Sequence, residues 1–219
     1  MSNIEVDADR TKLPKSMLFK VIQFAYRSNY KKLIQENIQA NDNVLDVGSG
    51  LGFLKPLVIS QGAFYQGFEP REYVYKAATN LYGIKNFYNK ELDKNHSNIF
   101  FNKIISITVL DEVDEKLGFI KNIKSYSNND TKIILAVRNA DFPFRRGVNV
   151  MSSFNNTVTK DLGYTEWIEF FNSVDLQILS VKKINRPLVT SLTSNGIKAA
   201  IIRFLDLFLN IKKNHMLCF

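Results

Sequence analysis

Asn43-Val-Leu-Asp-Val-Gly-Ser-Gly-Leu-Gly-Phe-Leu54 sets the arrangement of everything around it. Val44, Leu45 and Val47 form a short apolar run of the kind a buried strand requires. The run breaks into glycines at alternate positions, Gly48, Gly50 and Gly52, and periodic sequence resumes with Phe53, Leu54, Leu57 and Val58. A strand, a tight turn and a helix opening are expected. Glycine serves such a turn because it reaches positive φ at low cost and leaves bare backbone for a ligand to approach. The spacing decides which ligand. A dinucleotide fingerprint runs G-x-G-x-x-G and sets a pyrophosphate on the helix N-terminus. Here the third glycine comes one residue earlier, and an acid, Asp46, lies inside the strand. A carboxylate there repels a diphosphate and suits a ligand carrying an ammonium or sulfonium charge.

On the amino side, Leu18, Phe19, Ile22, Phe24, Tyr26, Leu33 and Ile34 recur at near-helical spacing, so one or two helices follow a polar arm at residues 1–11. On the carboxyl side, residues 63–68 read as a second buried strand ending in Glu69 and Pro70, with Pro70 opening a helix. An acid at the end of the second strand stands where a ribose would find a two-oxygen acceptor for its hydroxyls; a helix cap or first-turn acid is the plainer alternative. Residues 83–88 suggest a shorter third strand, and residues 104–110, continuous and β-branched, the clearest strand of all. That strand runs into Asp111, Glu112, Asp114 and Glu115, which read either as a helix's first turn or as part of a site. Residues 131–137 read as a fifth strand, residues 148–160 as a polar lid or insert, and residues 163–171 as a helix with Thr165 as candidate cap. Residues 176–181 make a sixth strand, residues 197–211 an amphipathic helix covering the sheet, and residues 216–219 a short last strand. Strands alternating with helical stretches from Asn43 to Val181 predict an α/β fold: a doubly wound, mostly parallel sheet of about seven strands with helices on both faces.

The segments V-L-D-V-G-S-G-L-G at 44–52 and V-L-D-E-V at 109–113 resemble the first and fourth motifs of class I S-adenosylmethionine-dependent methyltransferases. The resemblance implies a Rossmann-like methyltransferase fold, S-adenosylmethionine as cofactor, and methyl transfer to a nucleophile. It places Asp46, Gly48, Ser49, Gly50, Gly52 and Phe53 at the cofactor, together with Glu69, Pro70 and Val109. Glu91 would accept from the adenine amino group, with Asp93 as its substitute, and the Leu92 amide would donate to the ring. Glu112 stands where the family often has a histidine, so a histidine relay is not carried over. The candidate catalytic groups are then Asp111, Glu112 and Tyr164.

Residues 107–111 lack the Asp/Asn-Pro-Pro-aromatic motif of amino-methylating DNA and some RNA enzymes, so the expected acceptor is a hydroxyl of a small molecule or of a sugar or glycan precursor. Arg145 and Arg146 would suit an anionic group on it. The chain resembles the small stand-alone bacterial methyltransferases encoded among surface-polysaccharide genes. An RNA methyltransferase using the basic loops, and a catalytically silent cofactor-binding partner protein, are the alternatives.

Length and composition bound the rest. The chain of 219 residues fits one methyltransferase domain over 1–219, with an N-terminal helical cap at 1–40, a cofactor-binding half at 41–140 and an acceptor-side half at 141–219. With 45% hydrophobic and 23% charged residues it has an ordinary globular composition. The net charge of +8 comes from Lys spread throughout the chain, so nucleic-acid binding is not favoured over a solvated basic surface. The single Cys218 allows neither an intrachain disulfide nor a zinc set. No apolar run is long enough to span a membrane, peripheral membrane contact is not favoured, and a cytoplasmic location is expected.

Overall fold

The apolar runs fold as strands because alternate residues have separate cores to fill. The structure, a computed structural model, describes Gln23, Arg27 and residues 30–92, 100–141, 149–151, 158–160, 162–184 and 216–218. Residues 30–37 are helical and are called α1. There follow β1 (Asn43–Val47), α2 (Lys55–Ile59), β2 (Phe64–Phe68), α3 (Glu72–Tyr82), β3 (Phe87–Tyr88), β4 (Lys103–Ile107) and α4 (Lys116–Ser125). After these come β5 (Lys132–Arg138), β6 (Asn149–Met151), β7 (Val158–Lys160), α5 (Tyr164–Ser173), β8 (Lys182–Ile184) and β9 (Met216–Cys218).

A seven-stranded sheet takes the order β3-β2-β1-β4-β5-β9-β8. Strands β3 to β5 are parallel, and β9 runs antiparallel to both β5 and β8. This is the expected doubly wound, mostly parallel sheet.

Strands β1, β4 and β5 each feed two cores. Val44, Ile105 and Ile134 join Tyr30, Leu33 and Ile34 of α1 and Val58 of α2 on one face. Their chain neighbours Leu45, Ile104 and Leu135 join Ile120 and Ile123 of α4 and Trp167 and Phe171 of α5 on the other. A one-residue slip would exchange these sets, so register is strongly specified. A polar staple fixes it at the amino edge, where the Asn43 amide donates to Asn102 Oδ1 at 2.6 Å and Asn102 Nδ2 donates to Asp42 Oδ1 at 2.7 Å.

Several boundaries differ from the sequence expectation. The strand expected over residues 104–110 ends at Ile107, because Thr108 turns to a φ of 57° and sends Val109 and Leu110 into a turn. The third strand shrinks to Phe87 and Tyr88, and the helix expected from Pro70 begins at Glu72. Residues 176–181 are not strand; pairing begins only at Lys182, opposite Cys218. Thr165 does not cap α5. Its N-cap is Gly163, whose amide donates to Glu166 Oε2 at 2.8 Å, while Asp141 Oδ2 accepts from the Tyr164 amide at 2.7 Å. Part of the stretch expected to be a lid forms the antiparallel pair β6–β7. Arg145, Arg146, Asp93 and the amphipathic stretch at 197–211 lie outside the described residues. Among the described residues no helix is long and apolar enough to cross a membrane.

Candidate active site

Parallel strands carry their connections at their carboxyl ends, so the turns after β1, β2 and β4 meet at one edge of the sheet. The turn after β1 is tied to its neighbour: the Gly48 and Ser49 amides both donate to the Phe68 carbonyl, at 2.8 and 3.0 Å. The motif glycines then divide the labour. A side chain on Gly48 would run into Val109, and one on Gly52 into Phe87. At Gly50, with φ of 55°, an added Cβ would meet nothing nearer than the Gly48 carbonyl oxygen at 4.0 Å. The outer two glycines are there for close packing, and the middle one faces open space.

Two acids support this turn. Asp46 is buried and accepts a hydrogen bond from the Tyr65 hydroxyl at 2.8 Å. Burial pushes its pKa up to about 7, against the pull of the Tyr65 hydrogen bond and with a further push from the Glu69 charge. Glu69 is fully buried at the end of β2, and its Oε2 accepts from the Gly50 amide at 2.9 Å. Arg71 holds the same carboxylate: its backbone amide and Nε reach Oε1 at 3.0 and 2.7 Å, and its Nη2 reaches Oε2 at 3.1 Å.

Beside the turn opens a cavity of about 300 Å³. Of the residues expected at the cofactor, Gly48, Pro70, Glu91, Leu92 and Val109 line it. Asp46, Ser49, Gly50 and Glu69 gather beneath and beside the turn without lining the cavity, while Gly52 packs on Phe87 and Phe53 is buried. The expected catalytic residues separate. Glu112 lines the cavity. Asp111 does not; it is buried and ion-paired to the Nε of Arg138, itself buried, whose Nη1 lies 3.6 Å from Glu112 Oε1. Tyr164 is exposed at the start of α5 and does not line the cavity. Trp167 is wholly buried, stacks on Phe171 with ring centroids 5.6 Å apart, and donates from its indole N–H to the Arg138 carbonyl at 3.0 Å.

Sequence reading missed Arg71, Arg138 and Asn122. Asn122 lines the cavity from α4, with its Nδ2 donating to the Leu92 carbonyl at 2.7 Å. Its Oδ1 and the Ser49 Oγ are buried and find no hydrogen-bond partner among the described residues. Such atoms are costly unless something satisfies them. Nothing in the local sequence marks Asn122 or Arg138, whereas an arginine two residues after Glu69 was a signal available and not used. Among the described residues no group of three or more His, Cys, Asp or Glu side chains is placed to hold a metal ion.

A family model described as a methyltransferase domain matches residues 22–179. No curated protein sequence matches the chain. Among solved structures, the chain resembles one from the complex between the Haloferax volcanii Trm112 methyltransferase activator and a candidate methyltransferase, at 13% identity over 91% of each chain with a TM-score of 0.67. It also resembles an S-adenosylmethionine-dependent methyltransferase from Mesorhizobium loti, at 10% identity over 89% of this chain and 97% of that one, TM-score 0.63. A third likeness is to the 1,6-didemethyltoxoflavin-N1-methyltransferase of Burkholderia thailandensis with bound 1,6-didemethyltoxoflavin and S-adenosylhomocysteine, at 14% identity over 90% and 75% of the two chains, TM-score 0.58. At such identities the structural likeness speaks to fold alone.

Proposed function

We propose, from the premise that this chain belongs to the methyltransferase domain family, that it methylates a hydroxyl of a small molecule or of a sugar or glycan precursor. The chain is an S-adenosylmethionine-dependent methyltransferase of class I; the acceptor and the residues that serve it are the proposal. The observation that carries it is the position of Glu112, a carboxylate in the cavity wall at the end of β4. A hydroxyl must lose a proton as it is methylated, and a carboxylate within reach can accept it. Asp111 is buried and does not line the cavity, so it does not reach the acceptor.

The fit of the cofactor is supported by three features: the open space at Gly50, the buried unpartnered Ser49 Oγ and Asn122 Oδ1, and an acid in the strand below the turn. When bound, S-adenosylmethionine supplies a methyl group already activated by its sulfonium. The residues of this chain do the rest. Glu91, which lines the cavity, or Asn122 Oδ1, oriented by the bond from its own amide to Leu92, would accept from the adenine amino group. Glu69 would accept from the ribose hydroxyls, and Asp46 would place negative charge beneath a cationic ligand. Pro70, Val109 and Phe119 make apolar walls that keep water from the site. Glu112 takes the acceptor's proton, held in place by the charge of Arg138.

The test is methyl transfer from labelled S-adenosylmethionine to a panel of hydroxylated small molecules and to RNA. Label is expected on a small hydroxyl, and Glu112→Gln should lower kcat by roughly 100-fold, the lower range for loss of a general base, with affinity for S-adenosylhomocysteine unchanged. Transfer to RNA alone, or full turnover of the Gln variant on a hydroxyl, would sink the proposal.

A further inference from the structure

An ionised carboxylate has about four places to accept a hydrogen bond, two on each oxygen. On Glu69 all of them are taken. Oε1 accepts from the Arg71 backbone amide and from Arg71 Nε, and Oε2 from the Gly50 amide and from Arg71 Nη2. Two of these donors are backbone amides that hold the turn and the start of α3, so they stay with the fold. The other two belong to one guanidinium at the end of a flexible side chain.

That side chain is 25% exposed, against 1% for the glutamate it holds, so it has somewhere to go. The cavity is lined by Gly48 and Pro70 but by none of Gly50, Glu69 and Arg71. A second carboxylate, Glu112, sits in the cavity wall close enough to act electrostatically on the Arg71 guanidinium.

Taking the reading of Glu69 as the ribose acceptor as given, we propose that Arg71 is the affinity-setting residue of the ribose subsite. Its guanidinium occupies the two acceptor positions that the 2′- and 3′-hydroxyls require, and the diol binds only as the guanidinium leaves. Cofactor affinity is therefore the difference between two sets of hydrogen bonds to one carboxylate. A fork that pairs with both oxygens is a stronger competitor than a single ammonium. Arg71 thus lowers affinity for the intact nucleoside while leaving untouched a nucleoside without the diol, which has no need of those positions. Added salt weakens the partly exposed ion pair and favours the nucleoside.

Calorimetric titration of the full chain distinguishes the possibilities. S-adenosylhomocysteine and its 2′,3′-dideoxy analogue are titrated into the wild type, Arg71→Gln and Arg71→Lys. The Gln variant should bind S-adenosylhomocysteine roughly ten-fold more tightly, the weight of about one charge-assisted hydrogen bond, and the dideoxy analogue as the wild type does. The Lys variant, with its single point charge, should fall between. Equal or weaker binding of S-adenosylhomocysteine by both variants would overturn the competition, since Arg71 would then be neutral or a direct contact. Glu69→Ala made in the Arg71→Gln chain, where no guanidinium competes, separates this failure from failure of the site reading. If that chain binds S-adenosylhomocysteine as tightly as Arg71→Gln alone, Glu69 is not the ribose acceptor and the premise falls. If it loses affinity while the Arg71 variants gain none, the premise stands and only the competition is wrong.

Discussion

The ends of β2 and β4 carry the same chemistry and put it to different uses. Each strand leads to a buried acid, Glu69 after β2 and Asp111 after β4, and each acid meets an arginine. Arg71 lies two residues along from Glu69 and keeps a quarter of its side chain exposed. Arg138 comes from β5, the neighbouring strand, and is buried to within 8%. The Glu69 carboxylate also anchors the Gly50 amide and stands beside the open space of the turn. Asp111 sits behind the cavity wall, where its pair with Arg138 joins the ends of β4 and β5. A pair formed within one loop can open for a ligand, whereas a pair buried between two strands cannot open without unfolding the edge that holds it.

The largest effect should come from breaking the second pair. Arg138→Met removes the arginine paired with the buried Asp111 and should cost about 3 to 5 kcal/mol of stability, measured by denaturant unfolding. Replacing Asp111 by Leu in the same chain should restore most of it. A loss under about 1 kcal/mol, the level of a surface pair, would make the two acids equivalent and erase the contrast.

Glu69→Ala should act on ligand binding instead. The expected loss is about 1 to 3 kcal/mol of affinity for S-adenosylmethionine, the range for a charge-assisted hydrogen bond, read by calorimetry on a chain that still unfolds cooperatively. If stability falls as far as in Arg138→Met while affinity holds, Glu69 is a second structural acid.

The smallest effect belongs to Asp46, a third buried acid, supported by the Tyr65 hydroxyl. Burial, opposed by that hydrogen bond, raises its pKa to about 7, so the carboxyl is neutral below that pH and charged above it. A sulfonium remains cationic throughout and favours the ionised form. Affinity for S-adenosylmethionine should therefore rise as pH passes upward through about 7, by about threefold, the scale of a modest charge interaction. Asp46→Asn should flatten that rise, and an unchanged pH profile in the variant would remove Asp46 from the cofactor's charge balance.

These contrasts also mark how far the sequence was legible. The glycine turn could be read because alternation of apolar residues, then glycines, then helical periodicity is a local code, and β1 and α2 appear where that code puts them. Glu69 at the end of β2 was legible for the same reason. The end of β4 was not. A β-branched run seven residues long reads as one strand, yet the chain turns at Thr108, whose amide makes the last bond to β5 at the Ala136 carbonyl, and Val109 then packs against Gly48. Neither contact is local. Residues 176–181 failed similarly: an alternating pattern suits a strand only where a neighbour offers a free edge, and here the pairing begins at Lys182.

By itself the sequence determined the fold class and the place of the glycine turn, since burial period and backbone freedom are properties of a few adjacent residues. Which acid would face a ligand and which would vanish into an ion pair was decided only by the tertiary structure. Asp111 and Glu112 are neighbours in the chain with similar side chains, and both reach Arg138, one strand away and 27 and 26 residues later; packing buries Asp111 and leaves Glu112 in the cavity wall. The energy of a buried charge depends on what stands within a few ångströms of it, and that neighbour is set by the packing of whole strands.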